Sequence, residues 1–227
     1  FGKDKKININ SKYTVDNIIY KKKRLPALEG DMEYKADNLN DGVLVLKFLK
    51  ILKNGYEIAR FKGEANLSNK ELNFYLDKKD IDLSKISANE ELKGKIDLNV
   101  DINGTLSLPK YTVNTSSEKI IFKKWEFEDV IFDLSGDEKE VRLEKFDFLY
   151  EKNLLEAIGR YDILEKKYNF NLYSKNIKVD FLNSILSEAG IEGIDGTAQI
   201  AMNFSEKESH GVFNGQNISF KMPKYEI

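Results

Sequence analysis

Residues 94–109 read Gly94-Lys95-Ile96-Asp97-Leu98-Asn99-Val100-Asp101-Ile102-Asn103-Gly104-Thr105-Leu106-Ser107-Leu108-Pro109. Ile96, Leu98, Val100 and Ile102 alternate with Asp97, Asn99, Asp101 and Asn103, the period of two that gives a strand one apolar and one wet face. Such a strand needs an apolar cover. Asn103-Gly104 predicts a turn, because both residues tolerate positive φ, and Pro109, lacking a backbone donor, predicts the end of regular pairing.

The same rhythm runs outward in both directions. It predicts strands at 13–20, 30–34, 42–49, 56–61, 63–67 and 71–77, and again at 119–122, 125–134, 141–150, 154–163 and 168–174. Val43-Leu44-Val45-Leu46 is apolar on both faces and so predicts a central strand, or an edge covered by another part of a longer chain. Residues 82–92 and 179–189 break the rhythm and predict short helical connections, with Asp82 or Ser84 as N-cap of the first and Gly190 as the stop of the second.

These pieces repeat. Gly63 and Gly159 lie 96 residues apart, and the same offset carries Leu72 to Tyr168, Phe74 to Phe170, Leu76 to Leu172, Ile81 to Ile177 and Leu83 to Val179. Gly94 and Gly196 lie 102 apart, which maps Ile96, Leu98, Val100 and Ile102 onto Ala198, Ile200, Met202 and Phe204. The order strand, strand, short helix, long strand recurs, so an elongated array is expected, each copy adding strands to its neighbour. The expected division is 1–60 as N-terminal strands continuing the sheet, 61–156 as a first copy and 157–227 as an incomplete second copy, all in one continuous unit.

Composition narrows the function. The 227 residues carry Lys+Arg 36 against Asp+Glu 38, a net charge of -2, which supplies no global field for nucleic acid. Arg24, Arg60, Arg142 and Arg160 are the arginines, so bidentate phosphate forks are scarce. With Cys 0, disulfides, thiolate catalysis and thiolate metal sites are excluded together. The apolar run 43–52 is interrupted by Lys47 and Lys50 and is too short to span a bilayer as a helix. The opening on Phe1 and the close at Tyr225-Glu226-Ile227 read as a segment of a longer protein. The basic cluster 21–24 reads as a solvated strand end ahead of a contact for anionic headgroups.

Reactive chemistry is thin. His210 sits in Glu208-Ser209-His210-Gly211, expected to be a solvated turn, and has no second histidine or cysteine to form a metal site or nucleophilic pair with. Nothing places Asp137-Glu138 or Glu90-Glu91 against an apolar pocket, and no glycine loop precedes a helix to cradle phosphate. Trp125, Phe122, Phe127 and Phe132 lie in strands, where core packing is the expected role. The chain is expected not to be an enzyme and to need no cofactor or metal.

Residues 94–109, Gly159-Arg160-Tyr161-Asp162-Ile163, the connection Lys175-Asn176-Ile177-Lys178-Val179-Asp180-Phe181 and Gly196-Thr197-Ala198-Gln199-Ile200-Ala201-Met202 together resemble the repeats of the TamB and AsmA-like family. The resemblance covers most of 60–220, with the Gly-Thr-Leu-x-x-Pro element its most specific part. It departs in the heavy lysine content and in the first 60 residues.

The resemblance implies a periplasm-spanning cell-envelope protein of a diderm bacterium, anchored in the inner membrane by a segment outside this chain. It implies a bent sheet, a β-taco or half-pipe, whose apolar interior holds phospholipid acyl chains in transit between inner and outer membranes. Family members are implicated in outer-membrane biogenesis and protein assembly, which adds an outer-membrane barrel protein of the BamA/TamA kind as an expected partner.

The residues point to the same fold class: all-β, an elongated, curved, predominantly antiparallel sheet with two short helical connections, against the alternative of a closed β-sandwich. About six strands with four large apolar side chains each put roughly 50 kcal/mol of burial at stake, an upper bound. That face needs a second sheet or a ligand. The expected lipid-binding groove is lined by Leu72, Phe74, Leu76, Ile96, Leu98, Val100, Ile102, Phe170, Leu172, Ile200, Met202 and Phe204. Two other functions compete with a lipid conduit: a scaffold pairing its open edge with nascent outer-membrane barrel strands, and a structural sandwich such as an adhesin module. Edge lysines weigh against the scaffold.

Overall fold

A computed structural model describes residues 6–16, 19–20, 23–37, 41–53, 55–87, 91–180, 183 and 191–221. The strands are β1 (Ile7–Val15), β2 (Ile19–Tyr20), β3 (Lys23–Arg24), β4 (Ala27–Ala36), β5 (Gly42–Lys53), β6 (Tyr56–Asn66) and β7 (Glu71–Asp82), then the short helix α1 (Leu83–Ile86). After it come β8 (Leu92–Thr105), β9 (Pro109–Phe122), β10 (Trp125–Gly136), β11 (Glu140–Tyr150), β12 (Asn153–Asp162), β13 (Lys167–Lys178), β14 (Glu192–Ser205) and β15 (Ser209–Lys221).

Thirteen of these strands form one sheet in the order β1-β4-β5-β6-β7-β8-β9-β10-β11-β12-β13-β14-β15, each antiparallel to its neighbours. β1 and β15 are the two edges and do not pair with each other, so the sheet is open rather than a barrel. β2 and β3 pair separately in the connection to β4. The doubly apolar β5 is central, flanked by β4 and β6.

No second layer covers this sheet among the described residues. The chain exposes 15960 Å², about half again the ~10,600 Å² of a compact monomer of its mass. The closed sandwich is therefore set aside. Yet Leu76 is 1% and Ile81 0% exposed, which a flat single layer cannot achieve. The sheet curves its apolar side inward, so neighbouring side chains close over them. β-bulges recur along the strands, between Lys78 and Ile81 on β7 and between Ser174 and Ile177 on β13, and supply the bend.

The two offsets found in the sequence meet the same strand registers. Phe74 pairs with Ile102 as Phe170 pairs with Phe204; Leu76 with Val100 as Leu172 with Met202; Ile81 with Ile96 as Ile177 with Ala198. Leu83 and Val179 are both buried where their strands leave the sheet.

Several local expectations are corrected. Asn103-Gly104 lies inside β8, and the turn falls at 106–108, where Leu108 N–H donates to the Thr105 carbonyl at 3.1 Å. Gly104 has φ +106, and a methyl there would meet the Leu108 carbonyl oxygen at 2.7 Å, so the glycine serves a close backbone approach. Pro109 opens β9 instead of ending pairing, a position at a strand's first residue where no donor is needed. The first strand is 7–15 and not 13–20, and 56–61 and 63–67 merge in β6.

The first helical connection shrinks to four residues, capped by Asp82, whose carboxylate accepts from Ser84 N–H at 3.0 Å. Leu92 belongs to β8, because its apolar side chain continues that strand's face. The second connection, 179–189, and its stop at Gly190 lie mostly outside the described residues. His210 is in strand β15 rather than a turn, though 68% exposed and 2.9 Å from Glu208.

Candidate functional site: an open apolar face

Paired residues in antiparallel strands point to the same side, so a face can be followed pair by pair across the sheet. One row runs Leu76, Val100, Val113, Leu134, Leu143, Gly159, Phe170, Phe204. The row beside it runs Leu98, Thr115, Phe132, Phe146, Ala157, Leu172, Met202. On the other side of the first lie Met32, Leu46, Gly63, Phe74, Ile102, Tyr111, Gly136, Val141 and Tyr161.

The reverse of the sheet is of opposite character. Asp77, Asn99, Asn114, Asp133 and Lys145 form one row there, and Asn114 donates to Asp133 at 2.9 Å. Asn203 donates to Asn169 at 3.0 Å and to Asn171 at 2.9 Å. Amides and carboxylates dominate that side, with Tyr75 and Ile158 exposed among them.

All twelve residues expected to line a groove occupy the apolar face. Leu76, Val100, Phe170 and Phe204 share one row; Leu98, Leu172 and Met202 share the next; Phe74 pairs with Ile102. Leu72 pairs with Gly104, Ile96 with Ile81, and Ile200 with Ser174 and Phe213, on the same side. The structure brings them into two groups, on β7–β8 and on β13–β14. Strands β9 to β12 lie between.

That intervening surface is what the sequence reading missed. Trp125, Phe127 and Phe132, expected as core, stand on the same open face with Phe146, Phe148 and Tyr150. Phe127 meets Phe148 edge-on at 5.3 Å, Phe132 meets Phe146 edge-on at 5.6 Å, and Trp125 lies 5.4 Å from Tyr150. The spacing Phe146-x-Phe148-x-Tyr150 was the available signal. It joins the two groups into one surface.

The face has two rims. At one, marked by Trp125 and Tyr150, lie α1 and the turns 123–124 and 151–152; at the other, marked by Tyr111, lie the turns 137–139 and 206–208. Burial pushes both Tyr111 and Tyr150 phenols up, Asp137 and Glu151 adding to it respectively, so each rim keeps a neutral hydroxyl. Among the described residues no group of His, Asp or Glu is arranged to hold a metal ion, and no helix is long and apolar enough to cross a membrane.

Fold and face define the class: an open, single-layer antiparallel β-sheet with one apolar and one polar side. No family model, curated protein or solved structure matches this chain.

Proposed function

We propose that the sheet is one segment of a lipid conduit in a periplasm-spanning protein of the TamB and AsmA-like kind, its apolar face carrying phospholipid between inner and outer membranes. The observation that carries this reading is the unbroken apolar row from Leu76 to Phe204, with no covering layer among the described residues. An apolar surface of that extent in water calls for an occupant.

Dimensions favour acyl chains. Thirteen strands spaced by roughly 4.8 Å make a surface about 60 Å long, and the apolar residues of β8 from Leu92 to Gly104 span about 40 Å at roughly 3.3 Å per residue. Half the ~30 Å hydrocarbon core of a bilayer is one leaflet's chain length. The band accommodates it with room along the axis. Native mass spectrometry of the purified chain tests the proposal: retained phospholipid supports it, and a lipid-free chain that stays folded rejects it.

A second reading has its own observation. From His210 to Phe220 the edge strand β15 contains no Lys, Arg, Asp or Glu, and Val212, Phe213, Ile218 and Phe220 are exposed. The lysine protection that weighed against strand addition stands within β1 at Lys12, whereas β15 carries a lysine only at its last residue, Lys221. A scaffold that pairs with barrel strands would use that edge.

A further inference from the structure

The deepest row of the apolar face is off centre. Beyond the Leu98 row, toward the α1 rim, lies a row containing Ile81, Ile96, Ser117, Val130, Ser174 and Ile200. Four register breaks abut it, between Lys78 and Ile81, Gly94 and Asp97, Glu128 and Ile131, and Ser174 and Ile177. Bulges in line on neighbouring strands bend a sheet along that line. Ile81, Ser117, Val130 and Ser174 are buried there, and backbone occupies both serine hydroxyls: Ser117 donates to the Lys95 carbonyl at 2.6 Å and Ser174 to the Leu154 carbonyl at 2.8 Å. On β8 the crease at Ile96 stands four residues from Leu92 and nine from Thr105, which gives arms of about 13 Å and about 30 Å at roughly 3.3 Å per residue.

At the end of the short arm the connections are fastened down. α1 is tied back to earlier strands: Lys53 Nζ donates to the Ile86 carbonyl, Asp82 N–H donates to the Tyr56 hydroxyl at 3.4 Å, and Lys85 Nζ lies 4.8 Å from the Tyr56 ring centre. In the second copy Val179 packs with Ile177, Ile194 and Ala198, all buried. Asn183 holds that connection to β14, its side chain donating to the Ile194 carbonyl at 2.9 Å and accepting from the Ile194 N–H at 2.7 Å. Between the two connections the Tyr150 ring stands 5.4 Å from Trp125 and 6.1 Å from Phe127.

The long arm ends differently. Two turns at its rim hold apolar side chains in water, Leu106 and Leu108 between β8 and β9, and Ile163 and Leu164 between β12 and β13, with Leu164 73% exposed. Tyr161 and Tyr168, a cross-strand pair on the apolar side next to the second turn, are exposed as well. On the apolar side of the α1 rim from β7 to β14, Phe122 is the one large apolar residue exposed among the described residues.

We propose that the apolar face has a single mouth: acyl chains enter and leave sideways over the Tyr111 rim, across Leu106, Leu108 and Leu164, while the connections close the α1 rim. The inference rests on the groove reading and adds a side to it. A chain crossing an apolar lip passes from a bilayer to the crease over apolar surface instead of through water, which lowers the cost of the passage. The polar end of the lipid stays in water beyond that lip.

The sequence has Cys 0, so a thiol label goes only where a cysteine is introduced. Leu108→Cys/Leu164→Cys places two labels on the Tyr111 rim, and Lys124→Cys/Lys152→Cys places two on the Trp125 rim. Each full-length variant is compared with and without a long polyethylene glycol maleimide, in its rate of uptake of a fluorescent phosphatidylcholine from phosphatidylcholine vesicles, with melts of the same samples. The polymer is expected to slow uptake roughly tenfold from the Tyr111 rim and to leave it unchanged from the Trp125 rim. Slowing from the Trp125 rim as great as from the Tyr111 rim, or no slowing from either, would overturn the single mouth while leaving the groove. A folded, unlabelled parent that takes up no lipid rejects the groove reading and the mouth with it.

Discussion

Gly159 on β12 lies directly beneath the ring of Phe170, its partner on β13: a methyl group at Gly159 would fall 2.1 Å from Phe170 Cδ1. Gly63 stands in the same relation to Phe74, one copy earlier, at 2.7 Å. The ring covers backbone that the missing side chain leaves bare, and the apolar face stays smooth across the pair.

Gly159→Ala is therefore expected to destabilise the sheet by about 1–3 kcal/mol, because the ring must leave its site. Gly63→Ala is expected to cost more: its φ is +147, and the added methyl also meets the Asn73 carbonyl oxygen at 2.1 Å. Thermal melts of the two variants, read with Phe170→Ala as the second arm, check this. A Gly159→Ala melt equal to the parent's would show that the ring does not need the gap.

Charges on the apolar face should separate folding from carriage. Val100 and Ile200 are half-buried on an open side, so the carboxylate in Val100→Glu or Ile200→Glu reaches water and the fold survives, while bound lipid is lost. Leu76, 1% exposed, has no such route, and Leu76→Glu is expected to lose about 3–5 kcal/mol and unfold. Melts and co-purifying lipid, measured together, distinguish the two behaviours. Unfolding of all three would mean that the face is a closed core.

Acid should loosen the turn at 137–139, on the Tyr111 rim. Backbone N–H groups of Lys139 and Glu140 donate to Asp137 at 2.8 and 3.1 Å and hold its carboxyl below the ordinary value of 3.8. A depressed folded-state pKa contributes stability that is complete above the unfolded value and lost as pH falls through the folded one. The parent's advantage over Asp137→Asn is accordingly expected near neutrality and to shrink below about pH 4. Melts of both proteins against pH would show the curves converging; a constant gap contradicts the assignment.

At β15 the open edge predicts association. A strand without Lys, Arg, Asp or Glu from His210 to Phe220, and with Val212 and Phe213 exposed, is expected to pair with another chain at high concentration, and Val212→Lys to suppress it. Sedimentation velocity across a concentration series checks the pair. A parent that stays monomeric throughout removes the edge as a docking strand.

How far the sequence was readable depended on which signal each residue used. Ile96 to Ile102 announced their face by alternation, and the offsets from Gly63 to Gly159 and Gly94 to Gly196 found residues with matching strand partners. β1 was illegible because Ser11 interrupts its apolar side and Asn8, Asn10 and Lys12 dominate its appearance. The turn at 151–152 was bracketed by the strands expected at 141–150 and 154–163, although Glu151 and Lys152 adopt φ of 48° and 67° without the usual glycine or asparagine. Gly104 misled in the other direction, since it gives its freedom to a backbone approach instead of a turn. Phe146, Phe148 and Tyr150 escaped because only residues matched between the copies were chosen, although their own spacing put them on the face.

Native mass spectrometry of the purified parent chain and of Val100→Glu, with lipid extraction of the same samples, tests the central claim most directly. The lipid-conduit account predicts phospholipid bound to the parent in stoichiometric amount, and its loss from a Val100→Glu protein that melts normally. A folded parent without lipid, or a folded Val100→Glu that keeps it, would contradict the account.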